Sequence, residues 1–189
     1  MRIIAGKYRG RKVGAPKGKG TRPMLDRVRE ALFSILHARL PGCLVWDLFA
    51  GSGALGLEAL SRGAREAWFV ERDPRVVRVL QGNLEGILGK EWRERARVLP
   101  GDGWNPAIPS EVRPDLVFLD PPYALVRGDP FRVRERVMKL RERLSPGGLL
   151  VFHYPAETPQ GAGALEGMEG ERRTWGTSSV ALLPSLETS

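Results

Sequence analysis

The chain has 189 residues, of which 42% are hydrophobic, so it can bury the core of one domain with a small appendage. No window approaches the length of a membrane-spanning helix, and the N-terminal apolar run is too short for a signal peptide, which predicts a soluble, cytoplasmic protein. One cysteine and two histidines exclude an internal disulfide and a multi-cysteine zinc site, and no metal is expected.

The positive charge is concentrated at the N-terminus. The formal net charge is +8, and residues 1–30 hold ten Lys or Arg against two acidic residues, which accounts for the whole excess. The same segment contains apolar residues that a small hairpin needs, among them Tyr8 and Val13, so a phosphate-binding hairpin is favoured over a solubilising tail. We predict this basic hairpin over residues 1–22. Its candidate nucleic-acid contacts are Lys7, Arg9, Arg11, Lys12, Lys17 and Arg22.

Residues 23–189 alternate between helix and strand signals and are predicted to form one α/β domain. Residues 21–42 carry apolar side chains at helical spacing and predict an amphipathic helix. Asp73 before Pro74, and Asp129 before Pro130, are typical helix starts. Further helices are predicted at 54–63, 74–88 and 130–144. Strands are predicted at 44–50, 66–71, 96–102, 114–120, 149–154 and 178–183.

Strands that alternate with helices predict parallel pairing with right-handed crossovers. The expected fold class is therefore a doubly wound, mostly parallel, Rossmann-like α/β sheet, closed by an antiparallel C-terminal strand at 178–183. In such a sheet the ligand crevice lies outside the carboxyl ends of the strands. Four of the predicted strands carry an acidic residue at or near these ends, namely Asp47, Glu71, Asp102 and Asp120.

A glycine loop follows the first predicted strand. The sequence FAGSGALG, which begins at Phe49, has the spacing G-x-G-x-x-G between a strand and a helix. Such glycines let a ligand approach the backbone at a helix N-terminus, and Glu71, twenty residues after Gly51, can accept hydrogen bonds from a ribose. The candidate cofactor-binding residues are Asp47, Phe49, Gly51, Ser52, Gly53, Glu71, Asp102 and Gly103.

Two cofactor classes fit this loop, a nicotinamide dinucleotide and S-adenosylmethionine. The Asp47 carboxylate suits the cationic methionine end of S-adenosylmethionine, whereas it would oppose a pyrophosphate electrostatically. Asp102 could accept from an adenine amino group. The chain also has no obvious histidine placed for hydride transfer, so S-adenosylmethionine is the expected cofactor.

The stretch LDPPY, which ends at Tyr123, supplies groups that a methyl transferase needs. Two prolines stiffen the exit from the fourth strand and hold two acceptors in place, the Asp120 carboxylate and the Pro121 carbonyl oxygen. Together these acceptors can grip an exocyclic amine and aim its lone pair at a methyl group. The Tyr123 ring can stack on an extruded base. The candidate catalytic residues are therefore Asp120, Pro121 and Tyr123.

The chain resembles class I S-adenosylmethionine-dependent methyltransferases with an Asp/Asn-Pro-Pro-Tyr motif. More closely, it is similar to the bacterial family that methylates a guanine N2 of small-subunit (16S) ribosomal RNA. The resemblance rests on MRIIAGKYRGRKV, TRPMLDRVREALFSIL, WDLFAGSGALGLEALSRGA, FVERD and LVFLDPPY. It implies ribosomal RNA, in a 30S subunit or an assembly intermediate, as the partner of the basic hairpin. Met24-Leu25 departs from the family, which usually has a Thr pair there.

Two alternatives remain open from the residues alone. An adenine-N6 methyltransferase on DNA or RNA shares the motif, although 189 residues leave little room for a target-recognition domain. A catalytically silent RNA-binding module is the alternative of another class, and the intact glycine loop and LDPPY stretch argue against it.

Overall fold

The structure is a computed structural model that describes residues 1–16, 26–90, 92–156 and 163–186. In these residues, seven strands form one sheet in the order β3-β2-β1-β4-β5-β7-β6. Together with the helices between the strands, this order confirms the predicted doubly wound, mostly parallel fold. Within the part of the chain that the structure describes, no helix is long and apolar enough to cross a membrane. The chain divides into two compact units, residues 1–107 and 108–189.

The first unit contains three parallel strands. β2 pairs with β1 on one side and with β3 on the other. All five residues of β1 are buried, which explains why its sequence is apolar except for one acidic residue, Asp47. The elements of this unit are α1 (Asp26–Ile35), β1 (Leu44–Leu48), α2 (Ala54–Ser61), β2 (Glu66–Glu71), α3 (Pro74–Leu88) and β3 (Ala96–Pro100).

The second unit begins with the parallel pair β4 and β5 and ends with two antiparallel strands. Every residue of β4 and β5 is buried, which explains their unbroken hydrophobic sequences. The elements are β4 (Leu116–Leu119), α4 (Tyr123–Gly128), α5 (Pro130–Glu142), β5 (Leu149–Pro155), β6 (Glu171–Trp175) and β7 (Ser178–Pro184).

The predicted helix starts are confirmed at two positions. The Asp73 side chain accepts from the amide of Arg75 at 2.8 Å, and Pro74 is the first residue of α3. The Asp129 side chain accepts from the amide of Arg132 at 3.1 Å at the start of α5. Both follow the preference for Asp at the N-cap and Pro at the first helical position.

The first thirteen residues form the expected small hairpin. Arg2 and Lys12 make an antiparallel bridge, and Ile3 and Val13 are buried at 2% and 1% exposure. Within the first unit the hairpin contacts α1, where the buried Arg29 guanidinium donates to the Arg2 carbonyl oxygen. Burial lowers the pKa of the Arg29 guanidinium. The predicted boundary between an N-terminal hairpin and the main domain, at residues 22 and 23, lies outside the described residues.

Some predicted elements differ from the observed ones. Strands β1 and β3 end at Leu48 and Pro100, two residues before the predicted ends, because the chain turns into the loops that carry the candidate site. The short helix α4 was not predicted, since Pro121 and Pro122 argue against helix, yet it begins immediately after them. β6 was also missed, because four of its five residues are exposed and it shows no apolar alternation.

Candidate functional site

The glycine loop between β1 and α2 has the backbone geometry that its sequence predicts. Gly51 and Gly53 have φ values of +56° and +81°, in the left-handed region that favours glycine. A Cβ atom on Gly53 would lie 2.4 Å from Leu80 Cδ1, whereas the corresponding position on Gly51 meets only the Phe49 carbonyl oxygen, at 4.0 Å. A side chain at Gly53 would thus be strained by the positive φ and would need Leu80 to shift, whereas Gly51 leaves open space beside the backbone.

Asp47 anchors the helix that follows the loop. Its carboxylate is 1% exposed, and Oδ2 accepts from the amide of Gly56 at 2.9 Å. This amide belongs to the first turn of α2, where a carboxylate is favoured by the unpaired N–H groups and by the helix dipole. A Cβ atom on Gly56 would lie 2.3 Å from the Phe69 ring, so the third glycine allows close packing of helix on strand.

Glu71 lies at the end of β2 and contacts the glycine loop directly. Its Oε2 accepts from the amide of Gly51 at 3.1 Å, and its Oε1 accepts from the amide of Asp73 at 2.9 Å. Each carboxylate oxygen has a second lone-pair direction. The side chain is thus fixed at the loop and still has acceptor capacity for a hydroxyl donor.

Asp102 and Gly103 lie in the loop after β3. Asp102 is exposed, and its Oδ1 accepts from the amide of Trp104 at 3.0 Å. Gly103 is buried, and a Cβ atom there would lie 2.7 Å from the Phe49 ring. Phe49 has a φ of +68° and packs edge-to-face on Trp104 with ring centroids 5.3 Å apart. Sequence analysis predicted Phe49 as a site residue but missed its contact with Trp104, because nothing in the sequence indicates that Trp104 faces the glycine loop.

Ser52 is buried at 8% exposure, and its carbonyl oxygen accepts from Asn83 Nδ2 at 2.9 Å. The same Asn83 amide donates to the Gly14 carbonyl oxygen and accepts from the Gly14 amide, both at 2.9 Å. Asn83 on α3 thus connects the glycine loop to the end of the N-terminal hairpin. Sequence analysis missed Asn83 because a polar residue on a helix is usually exposed to solvent.

In the second unit, Asp120 directly follows β4, and its side chain is 25% exposed. Pro121 is buried, and Pro122 adopts the extended φ and ψ of −51° and 133° that its ring favours. Tyr123, half-buried, is the first residue of α4. The two prolines therefore lie between the carboxylate and the aromatic ring, and the rigidity that the sequence predicts for them stays a prediction.

His153 on β5 connects these two predicted residues, and sequence analysis missed it. Its Nδ1 lies 2.7 Å from Asp120 Oδ1, and its Nε2 lies 3.2 Å from the Tyr123 hydroxyl. The same hydroxyl lies 3.1 Å from Ser178 Oγ at the start of β7. No spacing rule relates the four residues, since 33 positions separate Asp120 from His153.

The candidate RNA contacts on the hairpin have different surroundings. Lys7, Arg9 and Lys12 are exposed, and the ammonium group of Lys7 lies 5.5 Å from the Tyr8 ring centroid. Arg11 is also exposed, but its guanidinium donates to the carbonyl oxygens of Gly86 and Ile87 at 3.0 and 2.9 Å, near the end of α3. Arg11 therefore attaches the hairpin. The other two candidates, Lys17 and Arg22, lie outside the described residues.

Across residues 1–16, 26–90, 92–156 and 163–186, no group of three or more His, Cys, Asp or Glu side chains could hold a metal ion. The groups around the Asp-Pro-Pro-Tyr stretch are the Asp120 carboxylate, the His153 imidazole and the hydroxyls of Tyr123 and Ser178. They suit proton acceptance and hydrogen bonding to an amine.

Comparison with known proteins identifies the family. A family model described as "Conserved hypothetical protein 95" matches residues 1–183. The chain is 32% identical over 187 residues to "Putative rRNA methyltransferase YlbH" of Bacillus subtilis, covering 96% of this chain and 97% of the relative. It is 42% identical over 164 residues to "Ribosomal RNA small subunit methyltransferase D" of Haemophilus influenzae, covering 84% and 81%.

A solved structure named "Putative methyltransferase yhhF from Escherichia coli" matches with a TM-score of 0.78 and 32% identity, covering 98% of this chain and 97% of that one. The fold is therefore that of the Rossmann-like methyltransferases. Within that class, the chain belongs to the family described as conserved hypothetical protein 95. It is homologous to ribosomal RNA small subunit methyltransferase D of Haemophilus influenzae.

Proposed function

We propose that this protein transfers a methyl group from S-adenosylmethionine to the exocyclic N2 amine of a guanine in small-subunit (16S) ribosomal RNA. The observation that carries the proposal is the Asp120 carboxylate. It follows β4 in an Asp-Pro-Pro-Tyr sequence, is partly exposed, and is held by His153 through Oδ1. Its Oδ2 has no hydrogen-bond partner among the described residues, so it can accept from a substrate. Relatives named as ribosomal RNA methyltransferases support this substrate class.

The residues of the first unit fit S-adenosylmethionine. The open space beside Gly51 allows a ligand to approach the backbone, and the Glu71 carboxylate next to it can accept from ribose hydroxyls. Asp102, exposed beyond β3, can accept from an adenine amino group. Asp47 contributes a buried carboxylate, which accepts from the Gly56 amide and would be a negative charge when ionised. This charge disfavours a pyrophosphate and leaves a nicotinamide dinucleotide the poorer fit.

The residues of the second unit fit a purine amine. Such an amine is a poor nucleophile, because its lone pair is delocalised into the ring. Hydrogen bonds from the amine to Asp120 Oδ2 and to the Pro121 carbonyl oxygen would draw the nitrogen towards tetrahedral geometry. The Tyr123 ring would stack on the base.

When bound, S-adenosylmethionine supplies a methyl group on a sulfonium sulfur, which becomes a neutral thioether after transfer. The amine nitrogen forms the new bond to the methyl carbon as the bond from carbon to sulfur breaks. The nitrogen is then positively charged and must lose one proton. Asp120 can accept this proton directly or through water. This step needs no proton acceptor other than Asp120.

The exposed cations of the hairpin supply the contact to RNA in this proposal. Lys7, Arg9 and Lys12 are exposed and have no acidic partner in the described residues. Phosphate contacts of this kind position a protein on its nucleic acid but do not specify a sequence. RNA is read mainly through loops and shape, so we infer that the substrate is a folded site in a 30S subunit or an assembly intermediate.

A methyl-transfer assay tests the proposal. Radiolabelled S-adenosylmethionine is incubated with 30S subunits, 16S ribosomal RNA or duplex DNA, and incorporation is expected in one or both ribosomal substrates but not in DNA. Asp120→Ala should abolish incorporation while cofactor affinity stays near that of the wild type. The matched control is Asp129→Asn, which keeps an N-cap residue on α5 and should remain active. Incorporation into DNA alone would refute the proposal.

A further inference from the structure

The side chain of His153 is almost completely buried, at 4% exposure, and both of its ring nitrogens lie next to residues of the Asp-Pro-Pro-Tyr stretch. Nδ1 is 2.7 Å from Asp120 Oδ1, and Nε2 is 3.2 Å from the Tyr123 hydroxyl. The rings of Tyr123 and His153 have centroids 5.6 Å apart and are tilted by 60°. One imidazole therefore contacts both the proposed acceptor and the proposed stacking residue.

The hydrogen bond to Asp120 determines the role of His153 Nδ1. An ionised carboxylate only accepts, so Nδ1 must carry a hydrogen that it donates to Asp120 Oδ1. This contact uses one oxygen of the carboxylate and holds the group against rotation about its Cβ–Cγ bond. The other oxygen, Oδ2, is left for the substrate amine.

The Tyr123 hydroxyl completes the network. It lies between His153 Nε2 and Ser178 Oγ, 3.2 and 3.1 Å from each, and Ser178 is itself buried at 7% exposure. β5 and β7, which carry His153 and Ser178, are antiparallel neighbours in the sheet. Two paired strands of the second unit thus hold the hydroxyl of Tyr123.

We propose that His153 is a positioning residue for methyl transfer, which aims the Asp120 carboxylate through Nδ1 and fixes the ring of Tyr123 through Nε2 and the Tyr123–Ser178 contact. The proposal rests on the proposed function, because it assigns the substrate amine to Asp120. In this arrangement Tyr123 needs its hydroxyl as well as the ring that stacks on the base. With the hydroxyl held by two partners, removing it should matter.

Two substitutions separate the two contacts of His153. In His153→Asn the carboxamide NH₂ can take the place of Nδ1, so the contact with Asp120 is kept and that with Tyr123 is lost. In His153→Gln the carboxamide reaches the place of Nε2, so the Tyr123 contact is kept and the Asp120 contact is lost. His37→Gln, at an exposed position outside this network, is the matched control.

We expect His153→Gln to lower kcat by roughly tenfold to a hundredfold, the scale of a misplaced catalytic group, with KM for the ribosomal substrate little changed. His153→Asn and Tyr123→Phe should show smaller losses, since both remove the contact between Tyr123 and His153 and leave that between His153 and Asp120. Tyr123→Phe also removes the contact with Ser178. Wild-type kcat in His153→Gln would overturn the proposal. Equal loss in the Asn and Gln variants, together with a lowered melting temperature in both, would also overturn it, because it would indicate packing alone.

A measurement without turnover tests the network itself. The chain has only two histidines, so nitrogen-15 spectra of the imidazoles can be assigned with the His37→Gln variant. We expect Nδ1 of His153 to be protonated in the wild type and its signal to shift in Asp120→Ala. An unprotonated Nδ1 would refute the network. A wild-type protein that methylates no RNA would refute the proposed function, and the spectrum would still decide the network by itself.

Discussion

Glu71 shows how one carboxylate can serve both the fold and a ligand. It accepts from the amides of Gly51 and Asp73 at 3.1 and 2.9 Å, and it stays half-buried at the end of β2. These two bonds orient the carboxylate and fix the first glycine of the loop. In the proposed function the remaining lone pairs accept from the ribose of S-adenosylmethionine.

Glu71→Ala should therefore weaken S-adenosylmethionine binding by about 1–3 kcal/mol, the loss expected when a ligand donor is left without its acceptor. Isothermal titration calorimetry on the purified protein measures this change. Glu66→Ala is the control, because Glu66 lies at the opposite end of β2 and pairs with Arg97. Equal affinity in the wild type and Glu71→Ala, or micromolar binding of NAD without binding of S-adenosylmethionine, would contradict the cofactor assignment.

Sequence analysis predicted site residues that belong to recognisable motifs. It missed residues that come close to the candidate site only in the folded chain. Glu71 and Asp120 were predicted as site residues because Glu71 ends a strand twenty residues after Gly51 and Asp120 opens the Asp-Pro-Pro-Tyr stretch. His153 and Asn83 carry no such mark. Each lies in the interior of a regular element, and its partners are distant in sequence, 33 positions away for Asp120 and 69 for Gly14. Spacing rules act over short ranges and cannot detect such contacts.

At the scale of elements, the N-terminal hairpin is attached to α2 by buried polar groups. The Glu58 carboxylate, 0% exposed, accepts from the amides of Ile4 and Ala5 at 2.7 and 3.0 Å. Ser61 Oγ accepts from the Tyr8 amide at 3.0 Å and donates to the Ala5 carbonyl oxygen at 2.6 Å. The hairpin is thus a fixed part of the first unit over its first fourteen residues.

Ser61→Ala should loosen this attachment, because it leaves the amide of Tyr8 and the carbonyl oxygen of Ala5 without their partner. We expect the free energy of unfolding to fall by about 1–3 kcal/mol and hydrogen exchange at the Tyr8 amide to accelerate. Urea titration and exchange measured by mass spectrometry or NMR test both effects. Ser34→Ala, at an exposed position on α1, is the control. Unchanged exchange at Tyr8 would show that the hairpin is held by other contacts.

The sequence predicted the hairpin but not where it lies. Apolar residues within a basic segment indicate a hairpin, whereas its attachment depends on Glu58, a charged residue on a helix, and such residues are normally expected to be solvated. The same limit explains the missed strand β6, whose charged sequence ERRTW gives no apolar face. The parallel strands β1, β4 and β5 were predicted because their full burial selects continuous hydrophobic runs.

At the scale of the whole molecule, the charge distribution predicts how RNA affinity depends on salt. The +8 net charge resides in the N-terminal segment, where Lys7, Arg9 and Lys12 are exposed. Each phosphate that a cation neutralises releases counterions, so affinity should fall steeply as salt rises. Arg11 is left out of this group because it holds the end of α3.

Changing Lys7, Arg9 and Lys12 together to Gln should lower the log–log slope of RNA affinity against salt by about two to three units, at about 0.7–0.9 per contact. Filter binding of 16S ribosomal RNA at several salt concentrations measures the slope. A charge-matched triple change of Arg65, Arg78 and Lys90, which are exposed outside the hairpin, should leave it nearer to the wild-type value. Equal slopes in the two triple variants would refute the hairpin as the RNA contact.

The central claim is that this protein methylates a guanine amine in small-subunit ribosomal RNA, and the chemical identity of the methylated nucleoside tests it most directly. Small subunits methylated by the wild-type protein would be digested to nucleosides and analysed by chromatography with mass spectrometry. The account predicts that the added methyl group is found in N2-methylguanosine and is absent after incubation with Asp120→Ala. Methyl groups found in N6-methyladenosine, or in a nucleoside methylated at a ring carbon, would contradict it.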